Sequence, residues 1–360
     1  MQEIYIGIEK ISKLDEIINK IQPKEILLVT GSNSFEKSGA KNLLMPILDH
    51  YKIILFEKNS GSPEQSEIDQ GVESMEKKSV QLIIAVGGGS VLDTAKLINF
   101  QCLKVPLIAI PTTAGSGAES THFAVVYKNK TKYSIADETI LPNYVFLFPE
   151  LIYNLPKQTS ATAGFDALAQ GIESFWSINS NRESERLSEQ AIKICFNYLK
   201  PAVCDHSVSA MQQMQIGANL SGQAINISRT TAPHAISYPM TSYFNIVHGQ
   251  AVALTLSEIL KFNFGITEID CNDKRGVQFV KNKLNKLLKI ICANTAQEAS
   301  EKLKTLAKDI DLQTKLGEVG IDSDEKIELI LKHGFNSERM KNNPRKITRD
   351  DLNTILFNLR

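Results

Sequence analysis

Two groups of residues in this chain have types and spacings that could do chemistry. The first is a glycine turn, Gly87-Gly88-Gly89-Ser90, between an apolar run (residues 82–86) and a helical pattern carried by Val91, Leu92, Ala95 and Leu97. Glycines let backbone N–H groups approach an anion, and a helix N-terminus offers unpaired donors and a partial positive charge, so the layout can hold a phosphate. A tight strand-to-helix turn needs glycine too, so the motif alone leaves both readings open. Asp93 falls in the first turn, where a carboxylate suits the helix dipole. The second group is Asp166 with Gln170 one helical turn on, and His234 with Tyr238 one turn on, followed by His248. Each has a plain structural alternative. Asp166 could cap a helix after Gly164, a single histidine is more often a hydrogen-bonded structural residue than a ligand, and Tyr238 could be core with a bonded hydroxyl.

These side chains need elements to place them. At 360 residues the chain is long enough for two domains with separate cores. Its first part alternates strand and helix patterns. Strands are expected at 4–8, 25–30, 52–56, 82–86 and 106–110, and helices at 10–21, 35–44, 63–78 and from Ser90. Residues 123–127 and 132–135 read as a hairpin around Asn129-Lys130. Strands spaced by helices predict a doubly wound, Rossmann-like α/β sheet with ligands at the carboxyl ends of its strands. The small and hydroxyl residues of 111–121, PTTAGSGAEST, form a loop at the same edge as the glycine turn. From about Pro156 long helical segments take over, at 159–177, 184–203, 209–227 and 249–262. The expected division is an α/β domain over 1–155 and an all-helical domain over 156–360.

Composition narrows the function classes. Forty acidic and forty basic residues cancel, which gives no signal for nucleic-acid or membrane-surface binding. No apolar run reaches membrane-spanning length. The first residues lack the basic and apolar segments of a signal peptide. Five scattered cysteines without a CxxC pair read as free thiols in a reducing cytoplasm, the expected location. A homodimer is compatible with the sequence, and the oligomeric state is otherwise open.

The stretches GGGSVLDTAK, PTTAGSGAES, GFDALAQGIES and HAISYP…NIVHG, in this order and spacing, resemble the iron-containing (group III) alcohol dehydrogenases over about residues 20–265. The resemblance implies a dehydroquinate synthase-like fold, with a dinucleotide on the N-terminal domain and a divalent metal at its junction with the helical one. It makes Asp166, His234 and His248 metal ligands and catalytic residues, and puts the pyrophosphate on Gly87, Gly88, Gly89 and Ser90, with Asp93 in the same turn. Thr112, Thr113 and Ser116 would flank the cofactor's phosphate and nicotinamide end. Two positions depart from the commoner family pattern, which has histidine at Gln170 as a fourth ligand and at Tyr238 near the nicotinamide. Gln170 could offer a carbonyl oxygen, a harder and weaker donor than imidazole, which lowers the expected affinity for iron. Three protein ligands with an open position suit catalytic zinc, and the related glycerol dehydrogenases are similar in using zinc with an aspartate and two histidines. The metal is therefore Fe2+ or Zn2+. Tyr238 is a poorer proton donor than histidine near neutral pH, which leaves proton delivery to water or a cofactor ribose hydroxyl.

An acid after the early strand usually bonds the adenosine ribose and repels a 2′-phosphate. Here Gly31, Ser32, Asn33 and Ser34 follow, with Lys37 one turn on, so NADPH is expected over NADH. The wording TKYSIAD, DALAQGIESFWSINSN and RTTAPHAISYPMTSYF is most similar to the phosphonoacetaldehyde reductase (hydroxyethylphosphonate dehydrogenase) branch, which implies reduction of phosphonoacetaldehyde to 2-hydroxyethylphosphonate. A phosphonate needs cations and donors. Arg229, Thr230 and Thr231 precede the helix start at Pro233-His234, whose N–H groups should point at that spot, and Lys132 could add charge beside cofactor or substrate. The alternative is that Arg229 is a surface ion pair and Thr231 a cap. Competing functions are an NAD(P)-linked reductase of another small alcohol, aldehyde or sugar acid, a lyase like dehydroquinate synthase, and a metal-free binding protein.

Overall fold

The computed structural model describes residues 2–59, 61–75, 78–129, 131–335 and 338–360. The chain divides into two compact units, Met1–Pro156 and Lys157–Arg360.

The first unit is a doubly wound α/β layer structure. Its elements run β1 (Glu3–Ile6), α1 (Ile11–Ile21), β2 (Glu25–Gly31), α2 (Ser34–Lys37), α3 (Ala40–Leu48), β3 (Ile53–Lys58), α4 (Gln65–Met75), β4 (Val80–Gly87), α5 (Gly89–Ile98), β5 (Leu107–Pro111), β6 (Phe123–Lys128), β7 (Thr131–Ala136) and β8 (Tyr144–Leu147). Six strands form a parallel sheet in the order β1-β8-β5-β4-β2-β3. Successive side chains of a strand point to opposite faces, and the two cores sort accordingly. Leu27, Val29, Ile83 and Ala85 enter one cluster, while Ile26, Leu28, Leu82, Ile84 and Val86 enter the other. Because both faces are covered, β2 and β4 read as continuous apolar runs. Each fully buried Leu, Ile or Val stabilises the layer by about 1.5–3 kcal/mol.

Several boundaries differ from the expected ones for local reasons. The first strand stops at Ile6 because Gly7 turns the chain at φ 98°. The helix expected over 35–44 is two helices, α2 and α3, parted by Gly39 at φ 83°. β8 was not anticipated; it is four residues long and lies between β1 and β5. The hairpin forms as the antiparallel pair β6–β7, a separate two-stranded sheet. Its turn residue Lys130, and Glu76 and Lys77 of the third expected helix, lie outside the described residues.

The second unit is helical: α6 (Lys157–Trp176), α7 (Arg182–Cys204), α8 (Val208–Ser228), α9 (Ala232–Phe244), α10 (His248–Phe264), α11 (Val277–Ile290), α12 (Ala296–Asp309), α13 (Asp324–Gly334) and α14 (Arg349–Phe357). Side-chain caps start several of them. Asn181 and Ser184 form a reciprocal capping box on α7, and Ser207, Thr295 and Ser323 cap α8, α12 and α13. α6 is buried along most of its length, so its polar residues stand inside the helical core. Among the described residues no helix is long and apolar enough to cross a membrane.

Candidate functional site

In the helical unit, three of the residues singled out above converge. Asp166 lies in the middle of α6, His234 in the first turn of α9, and His248 is the first residue of α10. His234 Nε2 is 3.2 Å from Asp166 Oδ1, and His248 Nε2 is 3.9 Å from the same oxygen. One ligand atom from each of the three falls within 4.8 Å of the others. The two imidazoles meet edge to face with centroids 5.2 Å apart. The approach of α10 to α6 depends on Gly249: a Cβ there would come within 1.9 Å of the Thr162 carbonyl oxygen. Only glycine lets the start of α10 sit this close, which is what brings His248 to Asp166.

The outer nitrogens of both rings are also engaged. His234 Nδ1 is 2.5 Å from Glu173 Oε1, and His248 Nδ1 is 3.4 Å from the Ser237 hydroxyl. A ring that gives its Nδ1 proton to a carboxylate presents the Nε2 lone pair inward, the tautomer a cation needs. Burial works against a charged His234, but the charge of Glu173 and the hydrogen bonds to Asp166 and Glu173 outweigh it and lift the ring to about 9. Two carboxylates around one buried imidazole thus call for positive charge. One carboxylate oxygen and two imidazole nitrogens fit a divalent cation such as Zn2+ or Fe2+.

Gln170 does not present its carbonyl as a fourth donor. Its Nε2 donates to Asp166 Oδ2 at 3.0 Å and its Oε1 accepts from the Ser221 hydroxyl at 3.3 Å. Being one turn from Asp166 on α6, it braces the carboxylate. Tyr238 lies one turn after His234, its ring parallel to that of His248 at 6.4 Å. Burial raises its hydroxyl above the usual phenol range, while Arg339 pulls the other way.

The substrate segment is rearranged relative to expectation. Thr231 is fully buried, and its N–H and hydroxyl donate to Glu173 Oε2 at 2.6 and 2.9 Å while its hydroxyl accepts from Trp176 Nε1 at 2.8 Å. It anchors the start of α9 to α6, so neither its N–H nor its hydroxyl faces a ligand. Thr230 is buried too, its hydroxyl accepting from Arg339 and its carbonyl from Asn342. Arg229 follows α8 at φ 64°, a left-handed conformation rare for a residue with a Cβ. Burial and the nearby charge of Arg339 hold its guanidinium below the usual arginine range.

In the α/β unit, Gly88 caps α5 and the helix opens at Gly89. A Cβ on Gly89 would meet Ser116 Oγ at 2.4 Å, and one on Gly88 would touch Thr113 at 3.4 Å. The buried hydroxyl of Ser90 has no hydrogen-bond partner among the described residues. A turn with no room for a Cβ at Gly89 and an orphaned hydroxyl at the same helix N-terminus fit a phosphate. Gly87 accepts from the Thr112 N–H at 3.0 Å, which ties the loop after β5 to this turn. Gly31 ends β2, and the Ser32 N–H donates to Lys58 O at 3.1 Å, leaving the exposed Ser32 and Asn33 side chains and exposed Lys37 around the turn. Asp93 leaves the cofactor set: its Oδ2 accepts from Val125 N at 3.0 Å and its Oδ1 lies 3.8 Å from Lys96 Nζ, so it holds the hairpin to α5. Lys132, on β7, lends charge to Asp93.

Two residues of this site escaped the sequence reading. Glu173 had a signal, since Asp166, Gln170 and Glu173 follow i, i+4, i+7 spacing in the mostly small and apolar second half of α6. Arg339 had none, since it lies far beyond the last motif, which ends at Gly249.

Residues 2–149 match the family described as iron-containing alcohol dehydrogenase, and residues 160–359 match the C-terminal part described as the Fe-containing alcohol dehydrogenase family. A phosphonoacetaldehyde reductase of Streptomyces viridochromogenes is 31% identical over 301 residues, 76% of this chain and 74% of that protein. An NAD-dependent methanol dehydrogenase of Bacillus methanolicus is 26% identical, covering 98% of this chain and 97% of its own. The crystal structure of a sulfoacetaldehyde reductase from Bifidobacterium kashiwanohense in complex with NAD+ superposes with a TM-score of 0.86 at 26% identity, over 99% of this chain and 96% of that one.

Proposed function

The chain belongs to the iron-containing alcohol dehydrogenase family, and from that premise we propose that it reduces an aldehyde bearing a phosphonate group, converting phosphonoacetaldehyde to 2-hydroxyethylphosphonate with NADPH. Members of the family are NAD(P)-dependent, metal-containing oxidoreductases of small alcohols and aldehydes. The observation that carries the metal-dependent reading is the convergence of Asp166, His234 and His248 on one space. The names of two similar proteins support the anionic substrate, because both are reductases of a two-carbon aldehyde with a tetrahedral oxyanion at its far end.

When bound, a divalent cation stabilises negative charge on the substrate oxygen and the dinucleotide supplies the hydride. The chain's own residues do the rest. Asp166, His234 and His248 would hold the cation, with Gln170 fixing the carboxylate and Glu173 fixing the imidazole. Gly88, Gly89, Ser90, Thr113 and Ser116 would hold the pyrophosphate. Arg229 would attract the phosphonate. The exposed Ser32, Asn33 and Lys37 around Gly31 favour a 2′-phosphate. The α/β unit is thus the dinucleotide domain and the helical unit the metal and substrate domain.

Steady-state kinetics with purified, metal-analysed protein test this. The expected result is NADPH oxidation with phosphonoacetaldehyde, abolished by chelation and restored by Zn2+ or Fe2+, with kcat/KM above that for propanal. No turnover with any aldehyde under metal reconstitution overturns the reading. A kcat/KM that favours NADH would hand the adenosine end to Glu57, exposed at the end of β3 beside Thr30.

A further inference from the structure

Each of the three candidate cation donors has an inner and an outer atom. The inner atoms are Asp166 Oδ1, with His234 Nε2 at 3.2 Å and His248 Nε2 at 3.9 Å from it. Each outer atom meets a protein group. His234 Nδ1 is 2.5 Å from Glu173 Oε1, His248 Nδ1 is 3.4 Å from the Ser237 hydroxyl, and Asp166 Oδ2 accepts from Gln170 Nε2 at 3.0 Å. Gln170 thus takes, for the carboxylate, the place that Glu173 and Ser237 take for the two rings. The way its amide faces follows from chemistry. As a cation ligand Asp166 is ionised and its oxygens can only accept, so the NH2 must be the group that meets Oδ2; the amide oxygen there would set two acceptors against each other. Gln170 Oε1 then accepts from the Ser221 hydroxyl at 3.3 Å. Ser221 is fully buried in the middle of α8, which packs along α6 and holds that hydroxyl in place.

We propose that Gln170 is a positioning residue: tied to Ser221, it holds Asp166 Oδ2 and so aims Oδ1 alone at the cation, which takes the carboxylate through one oxygen. The cation then has three protein donors, one each from α6, α9 and α10. This rests on the metal-dependent reading above and names the residue that decides how the carboxylate binds. Such a hold is needed because the last torsion of an aspartate is broad and roughly two-fold, so nothing within the side chain fixes it. A carboxylate left to turn can close on a cation with both oxygens, which fills a position that a catalytic centre keeps open. Gln170 and Asp166 are one turn apart on the same face of α6, a spacing at which an amide reaches a carboxylate without distorting the helix.

The test uses the full-length protein freed of metal by chelation, as wild type, Gln170→Leu and Ser221→Ala. It reads Zn2+ affinity against a chromophoric chelator, and the visible absorption of the Co2+ form, whose intensity falls as coordination rises from four to five. Wild type is expected to give the intense spectrum of a four-coordinate ion, three protein donors with a water. Gln170→Leu is expected to lose about 10- to 100-fold in Zn2+ affinity and to give a weaker, five-coordinate Co2+ spectrum, because the released carboxylate closes with both oxygens. Ser221→Ala reaches Asp166 through Gln170 and guards against loss of fold in Gln170→Leu; it is expected to lose about 3- to 10-fold in affinity, the worth of one hydrogen bond. If Gln170 were itself a donor, wild type would give the weak spectrum and Gln170→Leu would strengthen it, which overturns the proposal. A Gln170 that only packs α6 against α8 would leave affinity and spectrum unchanged in both variants, which overturns it as well. A wild type that binds neither Zn2+ nor Co2+ overturns the metal-dependent reading itself.

Discussion

The carboxylate of Glu173 has two tasks: one oxygen takes His234 Nδ1, the other takes the backbone and hydroxyl of Thr231. An amide in its place can serve only one of them properly. If its NH2 faces His234, the ring proton must move to Nε2, the atom directed at Asp166, and the inward lone pair is lost. Glu173→Gln is therefore expected to weaken Zn2+ binding by about 10- to 100-fold, the usual cost of losing the carboxylate that holds the outer nitrogen of a metal-bound histidine. Competition of the metal-free protein against a chromophoric chelator measures this without reference to turnover. Unchanged affinity would mean that the Glu173 contact only packs α6 against α9. The residue types made part of this legible: Asp166, His234 and His248 stand in recognisable motifs, and Glu173 lies on the Asp166–Gln170 stripe of α6. Gln170 was legible as a departure but not in its role, because sequence cannot say which way an amide faces. Thr231 and Asp93 misled for a related reason, since polar side chains next to a helix start can serve the protein's own backbone as readily as a ligand.

Elements were legible where their periodicity was long and their ends carried a cap or a glycine. β4, α5, α6 and α10 are of this kind. β8 was not, because four residues give too little alternation to recognise and its place in the sheet is decided by β1 and β5, far away in the chain. The loop after β5 depends on a similar long-range device. Lys96 of α5 is fully buried and its Nζ donates to Thr121 O, Thr121 Oγ1 and Phe123 O at 2.9, 3.0 and 3.1 Å. Lys96→Met leaves those acceptors without their donor, so at pH 7 a loss of about 2–4 kcal/mol is expected. Burial lowers the Lys96 ammonium to about 8, against the opposing pull of Asp93 and Glu119. Between about pH 8 and 10.5 the unfolded chain keeps a proton that the folded protein has released, so this group's contribution to stability rises with pH there. Urea denaturation across that range should show the gap between wild type and Lys96→Met widening. A gap that narrows would mean that the buried lysine keeps its proton in the folded state.

At the scale of the whole molecule, chemistry is divided between two compact units. The glycine cradle and the orphaned Ser90 hydroxyl belong to Met1–Pro156, while every candidate cation ligand belongs to Lys157–Arg360. The change from alternating to purely helical pattern near Pro156 was visible because it follows from layer architecture, in which helices on a parallel sheet and helices on helices impose different spacings. The division has a thermodynamic consequence. A ligand stabilises the structure that binds it by an amount set by its concentration over its dissociation constant, about 2.7 kcal/mol at a hundredfold excess. Zn2+ added to the chelated protein should therefore slow amide exchange in α6, at the start of α9 and at the start of α10. NADPH should slow it first at the turn between β4 and α5 and in the loop after β5. Hydrogen-exchange mass spectrometry resolves these peptides. If Zn2+ left the first turns of α9 and α10 exchanging as before, the three donors could not be holding it, and the assignment of Asp166, His234 and His248 would fall with them.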